Sequence, residues 1–250
     1  ISLCGAIGFF VLAECALLGE DMINKRRRRR LSTHTQLAVL VTLVVVSLGT
    51  ATIFLLEKWP PGFGFFQRVM SSSFQAISAS TTDGFNTMNI GEMTASSLFM
   101  IILLMLIGAS PGSTGGGIKT TTLGTIFLAI KSQLVGHKDS NFFERRITEE
   151  NIRKSFSIFF LFTLVMITDV LVMSRTEKIP FLPLVFESAS ALGNTGLSTG
   201  ITSSLSWFGK LLLSITMFIG RVGPMTIGMA LIGKRKGNFF HYPDGDVFIG

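Results

Sequence analysis

An all-α polytopic membrane fold is predicted, made of repeated units in which a spanning helix, a re-entrant pore helix with a filter loop, and a returning helix follow one another. Three observations predict it. The chain has 250 residues, is 48% hydrophobic and only 15% charged, and has a mean hydropathy of +0.55, whereas an ordinary soluble domain carries about 25% charged residues. Apolar runs at 35–56, 155–173 and 208–232 each approach or exceed the roughly 20 residues a helix needs to cross the hydrocarbon core. Finally, an offset of 112 residues (186 − 74) superposes, without a gap, Phe74 on Phe186, Ser78 on Ser190, Ala79 on Ala191, Gly84 on Gly196, Thr87 on Thr199, Ile107 on Ile219, Gly108 on Gly220, Thr114 on Thr226 and Gly116 on Gly228. A single register held that long marks an internal repeat.

Taken in order, residues 1–20 resemble the tail of a preceding repeat, because Gly5-Ala6-Ile7-Gly8 is similar to Gly108-Ala109 and to Gly220-Arg221-Val222-Gly223. The chain opens on Ile1 inside an apolar stretch without a charged flank or cleavage site, so a truncated beginning is expected rather than a signal peptide. Cys4 and Cys15 would lie about 16 Å apart on a helix, too far to pair, and read as small buried hydrophobes. Residues 21–34 form a basic connection. The third repeat, 35–131, contains a span (35–56), an amphipathic segment (65–79), a polar loop (80–88) and a second apolar segment (95–131). A further connection, 132–154, leads to the fourth repeat, 155–233, with span 155–173, amphipathic segment 181–191, loop 192–200 and returning segment 208–232. A tail, 234–250, closes the chain.

The net charge of +7 does not indicate nucleic acid, since Lys and Arg concentrate at 25–30, 131–154 and 234–236, directly after apolar segments. The positive-inside rule makes these cytoplasmic and the connections at Lys58 and Arg68 and at Arg175 and Lys178 external. The run 26–30 reads as a topogenic anchor that can also meet anionic membrane lipid. The first helix of each repeat then ends outside and the last ends inside, so the middle segment enters and leaves from the outer face. Polar backbone at membrane depth is tolerated where protein buries it or it lines a water-filled path, and two such loops point to an ion path.

Those loops read Ser80-Thr-Thr-Asp-Gly-Phe-Asn-Thr87 and Leu192-Gly-Asn-Thr-Gly-Leu-Ser-Thr199. Dehydrating a monovalent cation takes a ring of oxygens, and small or hydroxylated residues beside a glycine let successive carbonyls turn inward. Gly84 and Gly196 are the expected backbone pivots, with Thr81, Thr82 and Asp83 in one loop and Gly193, Asn194 and Thr195 in the other supplying carbonyls. Gly108, Pro111, Gly112, Gly115, Gly116 and Gly117 crowd one stretch with helix breakers, so the second segment of the third repeat must break there. The stretch is not a phosphate-binding loop: Lys119 does not adjoin the second glycine and no strand precedes it. Arg221 sits within an apolar segment, where charge is costly, and should face the pore or a partner. Lys119 is secondary, Asp169 reads as a helix-end or vestibule carboxylate, and His34, His137 and His241 lack ligand spacing, so no metal site is expected beyond the permeating ion.

The repeated loop glycine, together with GASPGSTGGGIKTTT after the third loop and GRVGPMTIG after the fourth, resembles the Ktr branch of the Trk/Ktr/HKT potassium transporter superfamily, over essentially the whole chain. The end, HYPDGDVFIG, looks like a Ktr terminus. The resemblance implies four repeats around one potassium-channel-like pore, of which this chain would be the carboxyl-terminal half. It further implies an intramembrane gating loop at 108–117, Arg221 as a fixed positive charge holding that loop through carbonyl contacts, and potassium as transported ion with no cofactor bound by this chain. It implies a homodimer of the full-length subunit on a cytoplasmic nucleotide-binding regulatory ring, in a bacterial plasma membrane. Asp83 departs from the small apolar residue or Val usual before the glycine, which leaves sodium or mixed-cation transport as the alternative. A polytopic enzyme would need a His and carboxylate cluster, and a secondary carrier often has inverted repeats, whereas these run in the same sense. A sodium-ATPase subunit is compatible in name only, since no nucleotide-binding domain is present.

Overall fold

The computed structural model describes residues 1–24, 30–136, 139–143 and 145–232. Most of the basic run 25–30, His137, His241, the cluster 234–236 and the tail 234–250 lie outside the described residues. The helices are α1 (Ser2–Ala6), α2 (Phe9–Ile23), α3 (Thr33–Leu56), α4 (Phe65–Thr81), α5 (Ala95–Leu106), α6 (Thr120–Val135), α7 (Glu149–Thr176), α8 (Phe181–Gly193), α9 (Trp207–Val222) and α10 (Pro224–Ile232). Of the described helices, α3 and α7 are each long and apolar enough to cross a membrane.

Local chemistry sets the starts of the long helices. Ser32, Thr94, Thr148 and Ser206 cap α3, α5, α7 and α9, each side-chain oxygen accepting a hydrogen bond from the backbone N–H three residues on, which satisfies one of the four orphan donors of a helix start. Thr94 and Ser206 are one repeat apart. In α7, Glu149 and Glu150 occupy the first turn and Arg175 the last, matching the helix dipole at both ends.

The two repeats pack as α3–α4–α5 and α7–α8–α9, and the core lies where they meet. Ile101, Ile102, Leu104 and Met105 of α5 are buried against Ala76 and Ala79 of α4, Val45 and Ile53 of α3, and Phe186 and Ala189 of α8. Gly49 of α3 faces Leu104, a small residue letting two helices close up without a water-driven hydrophobic force between them. Between α6 and α7 a two-residue hairpin pairs β1 (Asn141–Phe142) with β2 (Arg145–Arg146) in the register Asn141 to Arg146, a small departure from an all-helical fold.

Three expectations need correction. The segment 208–232 is not one straight span: α9 and α10 meet at 90°, because Gly223 adopts φ +90° and Pro224 brings no N–H to continue the ladder. Gly8 carries the same φ of +90° at the α1–α2 break. Cys4 and Cys15 are exposed, not buried, since apolar character implies burial only where the surroundings are water. Asp169 is no helix-end carboxylate: it is 3% exposed and accepts a hydrogen bond from the Thr216 hydroxyl at 2.9 Å, because α9 packs across that level of α7.

Candidate ion path

The pore-helix ends repeat atom for atom. α4 stops at Thr82, in the left-handed region with φ 58°, and α8 stops at Asn194 with φ 55°. The Thr82 and Asp83 N–H groups donate to the carbonyls of Ala79 and Ser78; those of Asn194 and Thr195 donate to Ala191 and Ser190. Two residues on, Gly84 and Gly196 return to positive φ, 77° and 89°. The sign of φ therefore alternates from Thr82 to Gly84 and from Asn194 to Gly196, with Thr82 and Asn194 bearing a conformation that glycine would adopt without strain. Thr81 and Gly193 are the last helical residues, so the helices run further into the loops than the sequence pattern suggests.

The two loops face one another across a narrow gap. A Cβ at Gly84 would run into the carbonyl oxygen of Thr195, while Gly196 has open space where its side chain would be. The Gly108–Gly117 stretch packs beneath them. A side chain on Gly116 would strike the Gly193 carbonyl, and one on Gly220 the Leu192 carbonyl. The Gly116 N–H donates to the Thr82 hydroxyl at 3.2 Å, and the Asn194 amide donates to the Met217 carbonyl at 3.1 Å.

That stretch is a loop with closed legs. Ile118 N–H donates to the Leu106 carbonyl at 2.8 Å, and a Cβ on Gly108 would overlap the Gly116 carbonyl oxygen. Charged donors hold the interior: Arg221 Nη1 reaches the Thr114 carbonyl at 2.6 Å and Lys119 Nζ the Gly115 carbonyl at 2.7 Å. Lys119 is thus engaged with the loop and half-buried rather than simply solvated. The amino-terminal break joins the same place, with Ser110 N–H on the Ala6 carbonyl and Phe9 N–H on the Gly112 carbonyl. Pro111 and Gly112 lie at that junction. Among the described residues no group of three His, Cys, Asp or Glu is placed to hold a metal ion.

Sequence reasoning passed over two kinds of residue. Glu57 and Glu177, the residues after α3 and α7, grip the N-caps of α5 and α9. Glu57 accepts from the N–H and hydroxyl of Thr94, and Glu177 accepts from the Ser206 N–H at 3.0 Å and from the Ser206 hydroxyl. The Ser206 hydroxyl holds the Glu177 carboxyl below its ordinary range. The other is Glu187, a carboxylate in the middle of pore helix α8; the rarity of a charge at such a position was the available signal.

The TrkH cation transport protein family matches residues 1–242. Similar curated proteins include the Ktr system potassium uptake proteins B and D of Bacillus subtilis strain 168. The first is 35% identical over 250 residues, covering 98% of this chain and 54% of that protein; the second is 37% identical over 249 residues, covering 98% and 54%. The potassium/sodium uptake protein NtpJ of Enterococcus hirae is 29% identical over 259 residues, covering 99% and 55%. The chain thus spans about half the length of the curated relatives it matches. The crystal structure of the potassium transporter TrkH from Vibrio parahaemolyticus superposes with a TM-score of 0.71 at 18% identity, covering 92% of this chain and 50% of that one, which is a likeness of fold. With a family match over nearly its whole length and a repeated unit of long helix, short helix and glycine loop, the chain belongs to the TrkH family of cation transport proteins.

Proposed function

We propose that this chain supplies two of the walls of a monovalent-cation pore in the membrane subunit of a potassium uptake system, and that it translocates ions rather than catalysing a reaction. The observation that carries this is the face-to-face meeting of two equivalent loops, Thr82–Gly84 and Asn194–Gly196, with Gly84 pressed against the Thr195 carbonyl. Alternating φ signs let successive peptide carbonyls of a short strand gather on one side, where they replace an ion's water shell. Thr81, Thr82, Asp83, Gly84, Gly193, Asn194, Thr195 and Gly196 make up the proposed filter segments. Potassium is favoured because the relatives above are named for its uptake; the name of the Enterococcus hirae protein joins sodium to it, and Asp83 is the residue here that would favour a broader choice.

Gly108, Pro111, Gly112, Gly115, Gly116 and Gly117 form the gate below the filter, and Arg221 is the fixed charge that tethers it at Thr114. A cation leaving the filter meets the guanidinium, which limits occupancy there until the loop moves aside. The full-length subunit acts as a homodimer on a cytoplasmic nucleotide-binding ring, in a bacterial plasma membrane, with the basic connections and the carboxyl terminus cytoplasmic under the positive-inside rule. No cofactor is assigned to this chain.

The test is potassium-uptake complementation in a transport-deficient bacterium, using the full-length subunit with Gly84→Ser or Gly196→Ser. Positive φ makes any side chain strained at both positions, so growth at low potassium is expected to fail or potassium-over-sodium preference to drop about tenfold or more, a change of ~1.4 kcal/mol or above. Unchanged uptake and preference in both variants would remove the pore assignment.

A further inference from the structure

We infer that Glu187 is a positioning residue for the ion filter: its carboxylate clamps the 198–202 segment from behind and so sets the shape of the Asn194–Gly196 loop. The inference rests on the proposed reading of that loop as a filter wall.

Glu187 lies mid-helix in α8 and is 5% exposed. A carboxylate taken out of water is costly unless donors surround it, and three converge on this one. Oε1 accepts from the Ser198 hydroxyl and from the Thr199 N–H at 3.2 Å; Oε2 accepts from the Thr202 hydroxyl at 2.9 Å. The clamp begins two residues beyond Gly196. Within the loop, the Gly196 N–H donates to the Ser190 hydroxyl at 3.1 Å. Ser190 and Glu187 are three residues apart on one helix face, so a single stripe of α8 holds both Gly196 and the segment that follows it.

The third repeat lacks this device. Gln75 is the repeat equivalent of Glu187, is wholly buried, and has no hydrogen-bond partner for either amide atom among the described residues. Ser198 corresponds to Asn86, whose amide turns to the Met88 carbonyl at 2.8 Å, and Thr202 corresponds to Ile90, which has no donor side chain. The two filter walls are thus supported differently, and the charged clamp belongs to the fourth repeat.

Proton counting separates the clamp from the charge. The Ser198 and Thr202 hydroxyls each have one proton, and the carboxylate takes both. In Glu187→Gln the amide oxygen still accepts from Ser198 and Thr199, the amide NH2 donates to the Thr202 oxygen, and the Thr202 proton turns to Ser198, whose oxygen is 3.0 Å away. The clamp survives without its charge. Glu187→Ala removes it, and Ser198→Ala with Thr202→Val removes two of its three donors while leaving the carboxylate.

The experiment measures rubidium-over-sodium preference of uptake by the full-length subunit, normalised to its amount in the membrane. Glu187→Gln is expected to stay within about twofold of the parent, while Glu187→Ala and the double variant each lose about tenfold, the effect of losing hydrogen bonds to a charged group. Should Glu187→Ala fail to reach the membrane, the double variant decides. Unchanged preference in the double variant, or a loss in Glu187→Gln as large as in Glu187→Ala, would overturn the clamp. Gly196→Ser runs alongside: if it leaves preference intact, the reading of Asn194–Gly196 as a filter wall fails, whatever Glu187 does.

Discussion

At the scale of single residues, this protein spends its charges on holding backbone. Arg221 and Lys119 donate to loop carbonyls, Glu57 and Glu177 accept from helix caps, and Glu187 accepts from the segment after the Asn194–Gly196 loop. Glu177 makes a pH prediction possible. Its carboxyl is held below the ordinary value of 4.5, first by the Ser206 hydroxyl and then by the Ser206 N–H. A carboxyl whose folded pKa is lowered contributes stability that is present above 4.5 and is lost as pH falls through that value towards the folded pKa. Thermal unfolding in detergent should therefore show a falling Tm below about pH 4.5. Glu177→Ala should flatten that part of the profile and cost about 2 kcal/mol at neutral pH, the effect of losing hydrogen bonds to a charged acceptor. An unaltered profile in the variant would assign the acid sensitivity to other carboxylates. Gly84, Gly196 and Arg221 stood out in the sequence because glycine in a repeated loop and charge in an apolar run are rare. The two glutamates at helix ends did not, because a carboxylate between a helix and a loop is ordinary until the helix it caps is known.

At the scale of elements, the decisive feature is where helices stop. α4 and α8 end in left-handed residues, α5 ends two residues before Gly108, and α9 turns sharply at Gly223. The Gly108 turn is the tightest. A methyl group there would overlap the Gly116 carbonyl, and the neighbouring link from Ile118 to Leu106 leaves little room to yield. Gly108→Ala should lower stability by about 1–3 kcal/mol, as overpacking does, and displace the loop between α5 and α6. The check is paired: Tm in detergent and protease susceptibility near residue 112. Wild-type values for both would show that the loop is not closed in this way. The break at 108–117 was legible because five glycines and a proline cannot sit in a helix interior. The bend at Gly223 was not, since one Gly-Pro pair in an apolar run is equally consistent with a mild kink; its 90° turn depends on α10 packing against α7.

At the scale of the whole molecule, two repeats bring two loops together, and a cation stripped of water needs oxygens all around it. Vesicles containing this 250-residue chain alone should accordingly take up rubidium no faster than empty vesicles; uptake matching that of the full-length subunit would show that two walls suffice. What the sequence determined by itself was the membrane class, the repeat and its register, and where the two glycine loops fall. These follow from composition and periodicity, which are properties of the chain read in one dimension. Only the tertiary structure decided that Asp169 is buried under Thr216, that Gly84 meets Thr195, and that Glu187, unlike its repeat equivalent Gln75, is bonded to the segment after its loop. Each of these is a contact between residues far apart in sequence, or a difference between two sites equivalent by repeat, and its energy comes from desolvation and hydrogen-bond geometry that exist only once the helices have packed.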